Sequence, residues 1–268
     1  MAIIYIGTSG YSFKDWVGNF YPENIKSGEM LSFYAQYFKI VEINSTYYAI
    51  PKPQSFEKML EKTPDDFQFT VKANGKMTHE KSESKSVFDQ FEEAIQPLVQ
   101  ANKMKGILAQ FPGSFRNTQE NRAYLSKFRD ILSEYPLIAE FRHNSWDKEP
   151  TFDFLKNLGI AYCSVDEPDL PGLVPSKAIA TTDLGYVRFH GRNKEAWYGG
   201  NSSERYNYLY SDQELKDWIP KIKHLSETTN ELLIFFNNCH VGHATRNALK
   251  MQDMLQSDLF KTNPDDKK

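Results

Sequence analysis

Three residues at predicted strand ends stand out as able to move a proton, and three others there carry the charge to hold an anion. Glu42, Glu140 and His190 are the acid/base candidates, since carboxylates and imidazoles are the usual general acids and bases. Lys72, Arg142 and Arg188 are the anion holders, because guanidinium forks and ammonium groups suit phosphate or carboxylate. Glu140 and Arg142 stand two apart in LIAEFR, residues 137–142, so on a strand they share one face. Charged side chains are seldom buried unless paired, which makes this pair the first place to look for chemistry. Asn44, Gln110 and Asn238 could orient a polar substrate. Trp146 and Tyr48 fall just past strand ends and could either pack the loops or stack on a ring.

Positioning these residues takes a repeating scaffold. Short β-branched or aromatic runs recur at residues 3–7, 39–44, 67–72, 106–111, 137–142, 161–166, 186–191 and 232–237. Amphipathic segments such as PQSFEKML, SVFDQFEEAIQPLVQAN, NRAYLSKFRDIL and DQELKDWIPKIKHL lie between them. Strands alternating with helices imply parallel βαβ units. Eight units in 268 residues predict one (β/α)8 TIM barrel over 1–260, followed by a polar tail at 261–268. A doubly wound open sheet is the other arrangement with this alternation. The loop after the first strand, GTSG, lacks the glycine fingerprint of dinucleotide sites.

The strands break the apolar rule for buried parallel sheets in a regular phase. Glu42 and Asn44 oppose Val41 and Ile43; Thr70 and Lys72 oppose Phe69 and Val71; Gln110 opposes Ala109; Arg188 and His190 oppose Val187 and Phe189. Taking Ser164 and Asp166 as the polar phase of strand six places Glu42, Lys72, Gln110, Glu140, Arg142, Asp166, Arg188 and His190 in one crown at the barrel mouth. Asn237 and Asn238 adjoin it with their phase open. Barrel enzymes keep their active sites at this C-terminal end, and the two long connections, 73–86 and 191–211, also leave from it.

Other readings compete. Three carboxylates (Glu42, Glu140, Asp166) against three cations (Lys72, Arg142, Arg188) could form a structural ion-pair network. Two carboxylates with aromatic platforms also fit a glycosidase. His240 and His243 stand three apart, but without an HExxH-type pattern and with cations nearby a metal is disfavoured; no cofactor is expected. Cys163 and Cys239 have no metal or redox spacing.

Composition sets the class. Apolar residues are 40%, charged residues 25%, and the net charge is −3. That describes a globular chain with no overall attraction for nucleic acid. No apolar run reaches the length of a membrane span, and MAIIYIGTSG lacks the features of a signal peptide. With two cysteines only, a cytoplasmic location is expected. Oligomeric state is not encoded in any pattern found.

Taken together, IGTSGYSFKDWVGNFYP, VEINSTYY with Pro51, FTVKAN with His79, AQFPGSF, AEFRHNSW, YVRFHGR, RYNYLYS with ELKDW, and FFNN with NALKM resemble the YecE-like proteins, family seventy-two of the domains of unknown function. The match runs in order along nearly the whole chain. The resemblance implies a TIM barrel and no established activity. Its motif positions fall on Glu42, Asn44, Lys72, Gln110, Glu140, Arg142, Arg188, His190 and Asn238. Gly113 stands where the pattern leads one to expect a second proline. The expectation is an enzyme using acid/base chemistry on an anionic polar substrate: a phosphorylated sugar, a nucleotide or a nucleic-acid end. A hydrolase or lyase reaction is the class expected. The alternative is a module that binds a nucleic acid or metabolite without chemistry.

Overall fold

The computed structural model describes residues 1–199 and 202–261. Eight strands, β1 (Ile3–Thr8), β2 (Ile40–Ile43), β3 (Gln68–Lys72), β4 (Met104–Gln110), β5 (Leu137–Glu140), β6 (Ile160–Asp166), β7 (Leu184–Phe189) and β8 (Glu231–Phe236), form one parallel sheet. Its order is β1-β8-β7-β6-β5-β4-β3-β2, so each strand lies beside its sequence neighbour and the first pairs with the last. This is the single-domain (β/α)8 barrel that the alternation predicts. The tail expected at 261–268 falls outside the described residues, apart from Lys261, which ends the last helix.

Closure between β1 and β2 is made differently from the other seven contacts. One bridge, Ser9 to Glu42, continues the ladder, with the Gly10 N–H donating to the Glu42 carbonyl at 2.8 Å. Deeper in, Gly7 permits the approach: a Cβ there would stand 2.3 Å from the Ile40 carbonyl oxygen. The Tyr34 hydroxyl spans the seam, accepting from Thr8 N at 2.9 Å and donating to the Ile40 carbonyl at 3.1 Å. A buried backbone group without a partner is costly, and one phenol satisfies a group on each strand.

Helices α1 (Met30–Tyr34), α2 (Pro53–Leu60), α3 (Gly75–Thr78), α4 (Lys85–Gln100), α5 (Gln119–Ile131), α6 (Glu149–Leu158), α7 (Ser202–Arg205), α8 (Asp212–Lys216), α9 (Ile219–Thr228) and α10 (His243–Lys261) occupy the connections. The segment DQELKDWIPKIKHL divides into α8 and α9 because Pro220 is tolerated only in the first turn of a helix. α6 ends at Gly159, whose φ of 63° is the left-handed stop glycine favours. Outward residues such as Val71, Ile107, Ala139 and Phe141 pack in the apolar layer beneath these helices.

Candidate active site at the barrel mouth

The inward phase read from sequence holds for most strands. β2 delivers Glu42, β3 delivers Thr70 and Lys72, β4 Gln110, β5 Glu140, and β7 Tyr186 and Arg188, with Arg142 and His190 just beyond their strands. The centre is Arg188, 1% exposed. Its Nη1 donates to Glu140 Oε2 at 2.5 Å; its Nη2 donates to Glu42 Oε1 at 2.7 Å and Ser9 Oγ at 3.2 Å. The Tyr186 hydroxyl donates to the second Glu42 oxygen at 2.6 Å. Glu42 and Glu140 are fully buried, and one guanidinium fills the space between them.

Glu140 is also held from above. Arg142 Nε lies 2.7 Å from Glu140 Oε1, which confirms the shared face of the two side chains. Burial opposes the Glu140 charge, but the Arg142 and Arg188 guanidiniums override it and hold this carboxyl well below the usual range. His190 Nε2 stands 3.2 Å from the same Oε1, and Asn237 Nδ2 lies 3.0 Å from His190 Nδ1. With the amide donating to Nδ1, the proton sits on Nε2. Burial, aided by the Arg142 charge, pushes His190 down to about 3, so the ring is neutral.

Above this floor Arg142, Lys72 and Asn44 keep part of their surface exposed, while the Glu167 side chain stays buried. Arg142 keeps 13% of its side chain exposed and places Nη1 3.1 Å from Glu167 Oε2. The other Glu167 oxygen accepts from Val174 N at 3.1 Å. Burial raises Glu167 to about 7; Arg142 opposes the rise and the Glu140 charge adds to it. Lys72 donates to Gln110 Oε1 at 2.9 Å and sits 4.5 Å from the centre of the Tyr47 ring. Burial first, and the Arg188 charge second, bring it down to about 8. Asn44 is half-buried beside β2.

Four positions lie elsewhere than the sequence suggested. Asp166 is outside the barrel, because β6 carries the opposite phase: Cys163 faces inward, 3.8 Å from Glu140 Oε2. Asp166 instead takes a two-pronged bond from Arg192 at 2.8 and 2.7 Å, with Trp218 Nε1 at 2.6 Å and the Tyr210 hydroxyl at 2.7 Å. It anchors the long 191–211 connection. Asn238 also points outward, donating to the Tyr208 carbonyl at 2.8 Å and Asn247 Oδ1 at 2.9 Å; its neighbour Asn237 is the one that joins the site. Trp146 is no rim platform. It is fully buried, stacked on Phe141 at 4.2 Å, with Nε1 donating to the Phe115 carbonyl. Tyr48 is 84% exposed and lies in a side groove rather than the crown.

Glu167 and Tyr186 are the site residues the sequence reading missed. Glu167 had a signal: with Cys163 and Val165 taken as the inward phase, the next inward position is 167. A neutral phenol in the run GYVRF reads as core, so Tyr186 had none. The long connection brings Trp197 over Arg142 at 6.0 Å and Tyr206 within 6.2 Å of His190. His240 and His243 stand with ring centres 6.0 Å apart. Among the described residues no three His, Cys, Asp or Glu side chains gather as a metal site, and none of their helices is long and apolar enough to cross a membrane.

The fold and this mouth define a parallel-barrel protein with a paired-charge floor. The family described as "Protein of unknown function DUF72" matches residues 5–268, and the chain belongs to it. UPF0759 protein YunF of Bacillus subtilis (strain 168) is 36% identical over 270 residues, covering 94% of this chain and 95% of its own length. UPF0759 protein YecE of Escherichia coli (strain K12) is 38% identical over 78 residues, 29% of this chain and 26% of its own. A crystal structure of a DUF72 family protein from Thermotoga maritima MSB8 is 46% identical with a TM-score of 0.89, over 95% of this chain and 99% of that one. Another, from Enterococcus faecalis V583, is 30% identical with a TM-score of 0.85, over 95% and 96%.

Proposed function

We propose that the mouth is the active site of an enzyme that performs acid/base chemistry on an anionic polar substrate. The observation that carries this reading is the position of Arg142. It is partly open to solvent and bridges two buried carboxyls of unlike proton affinity. Environments that drive like groups apart in this way mark acid/base assignments. Arg142 and Lys72 hold the anion, with Gln110, Asn44 and Asn237 orienting its neutral part.

The proton-handling role passes from Glu140 and His190 to Glu167. Glu140 is kept ionised by two guanidiniums, and His190 is kept neutral by burial and the Arg142 charge. Glu42, Glu140, Arg188 and His190 are positioning residues. Glu167, its side chain buried, borders a pocket of about 620 Å³ that Arg192, Lys194 and Tyr208 also line. An anion that draws the Arg142 charge toward itself weakens the partner that favours Glu167 as a carboxylate. Glu167 then takes up a proton, and substrate binding arms the acid. A glycosidase built on Glu42 and Glu140 fits less well, since such enzymes need the substrate between the carboxyls and Arg188 occupies that space.

Sulfate keeps its charge across neutral pH and is the probe. In calorimetric titrations at pH 7, run in buffers of different ionisation heat, sulfate saturates the wild type with uptake of a fraction of a proton. Arg142→Met weakens binding tenfold or more, and Glu167→Gln removes the proton uptake. Equal affinity in Arg142→Met, or uptake that persists in Glu167→Gln, rejects the assignment.

A further inference from the structure

We propose that the groove beside Tyr47 and Tyr48 is a sugar subsite, so that the substrate is a phosphorylated sugar whose anion meets Lys72 and Arg142. The inference rests on the anion-site reading above and narrows it.

The groove has a volume of about 520 Å³, within the range of small-molecule sites. It opens where β2 and β3 end, beside the mouth. Its aromatic wall is held in place by buried polar contacts. Asn74, 5% exposed, donates to the Thr46 carbonyl at 2.8 Å and the Tyr47 carbonyl at 3.1 Å, while its oxygen accepts from Lys76 N at 3.1 Å. The Thr46 hydroxyl donates to the Lys72 carbonyl at 2.6 Å, which ties the wall to the strand that carries the anion-holding lysine. Gly75 lets the two loops touch: a Cβ there would stand 3.2 Å from the Tyr47 ring and 3.3 Å from its carbonyl oxygen. These contacts fix the wall at Thr46 and Tyr47, and beside it Tyr48 stands 84% exposed.

Two features connect the groove to the mouth. The Lys72 ammonium sits over the Tyr47 ring at 4.5 Å, so the ring and the anion site share a residue. His79 packs edge-on to Tyr47 at 5.0 Å, and its proton affinity falls, through burial first and then through the Lys72 and Arg142 charges. Its imidazole is therefore neutral at pH 7 and offers a hydrogen bond without a charge.

The shape of the wall selects the ring. Tyr47 and Tyr48 meet at 90° with centres 5.0 Å apart. A flat heterocycle gains most from parallel faces, and a right-angled corner supplies only one. A sugar has an apolar C–H face for one tyrosine and hydroxyls around its edge. Lys76, Glu80 and Gln90 line the same groove and can donate to and accept from those hydroxyls.

The test is calorimetric titration of the full chain with inorganic phosphate, ribose 5-phosphate, glucose 6-phosphate and adenosine monophosphate. The expected result is at least one sugar phosphate binding tenfold or more tighter than phosphate. In Tyr48→Ala, an exposed site where the fold is not at risk, that advantage falls to threefold or less. No advantage in the wild type, or one that survives Tyr48→Ala, overturns the subsite while phosphate binding leaves the anion site standing. A larger advantage for adenosine monophosphate, lost in Tyr48→Ala, overturns the sugar in favour of a base. Failure of phosphate to saturate the wild type overturns the anion site and this inference together.

Discussion

The floor and the rim of the mouth use the same residue types to opposite ends. On the floor, Arg188 bonds Glu140 and Glu42, both carboxylates are sealed from water, and Tyr186 and Ser9 add further bonds. On the rim, Arg142 also spans two carboxyls, but it keeps a solvent-exposed portion and one of its partners titrates near neutrality. Charge pairs sealed on all sides specify a structure. A pair left partly open, with one soft partner, can answer a ligand. The strand-end residues that look alike in sequence are therefore separated by depth into a sealed layer and a partly open one.

Breaking the floor should cost most. Arg188→Met leaves two buried carboxylates without a counter-charge, and Glu140→Gln leaves two guanidiniums short of theirs; each should destabilise the fold by about 3–5 kcal/mol. Chemical denaturation measures this, and a loss below about 1 kcal/mol in both would show that the floor is not structural.

The next effect depends on pH and has opposite signs in the two layers. His190 remains neutral in the folded chain down to about 3, against 6.5 when free. Its contribution is present above pH 6.5 and is lost as pH falls toward 3. Glu167 is raised from 4.5 to about 7. Its contribution is present below pH 4.5 and is lost as pH rises through 7. Shifts of this size correspond to upper bounds of about 5 kcal/mol for His190 and about 3 kcal/mol for Glu167. His190→Gln should remove part of the acid-side loss. Glu167→Gln should remove part of the neutral-side loss and be relatively more stable at pH 8. Unfolding midpoints measured from pH 4 to 8 that keep the wild-type profile in both variants would contradict this division.

The smallest effect belongs to the groove. Tyr48→Ala should change stability by no more than about 0.5 kcal/mol, even as it removes the sugar advantage. A loss above 2 kcal/mol on denaturation would make Tyr48 a packing residue instead.

The barrel was legible because alternation along a strand is a local property, and eight repeats of it leave few architectures. The inward positions of β2, β3, β4, β5 and β7 followed from the same alternation. β6 misled because it offers a polar residue on the wrong phase. Asp166 looks like a crown member, and only its bonds to Arg192, Trp218 and Tyr210, contributed by segments 26 to 52 residues away, show that it faces out. Trp146 misled for a related reason. Position past a strand end does not reveal whether a ring lies over the mouth or under it, and its stack on Phe141 and Phe115 is tertiary. Depth was invisible throughout. Nothing in RFHGR or AEFRHNSW distinguishes the sealed Arg188 from the open Arg142.

The seam between β1 and β2 has a consequence for assembly. β1 shares six register positions with β8 but meets β2 through a single bridge and the Tyr34 phenol. Its main ladder partner is thus the strand synthesised last, more than 200 residues later. Until β8 emerges, the first strand has no full edge to pair with, and Ser9 lacks the Phe236 carbonyl that its N–H bonds at 2.9 Å. The floor is completed only when the two ends of the sheet meet, so the chain acquires its charge network in the same step that turns an open sheet into a barrel.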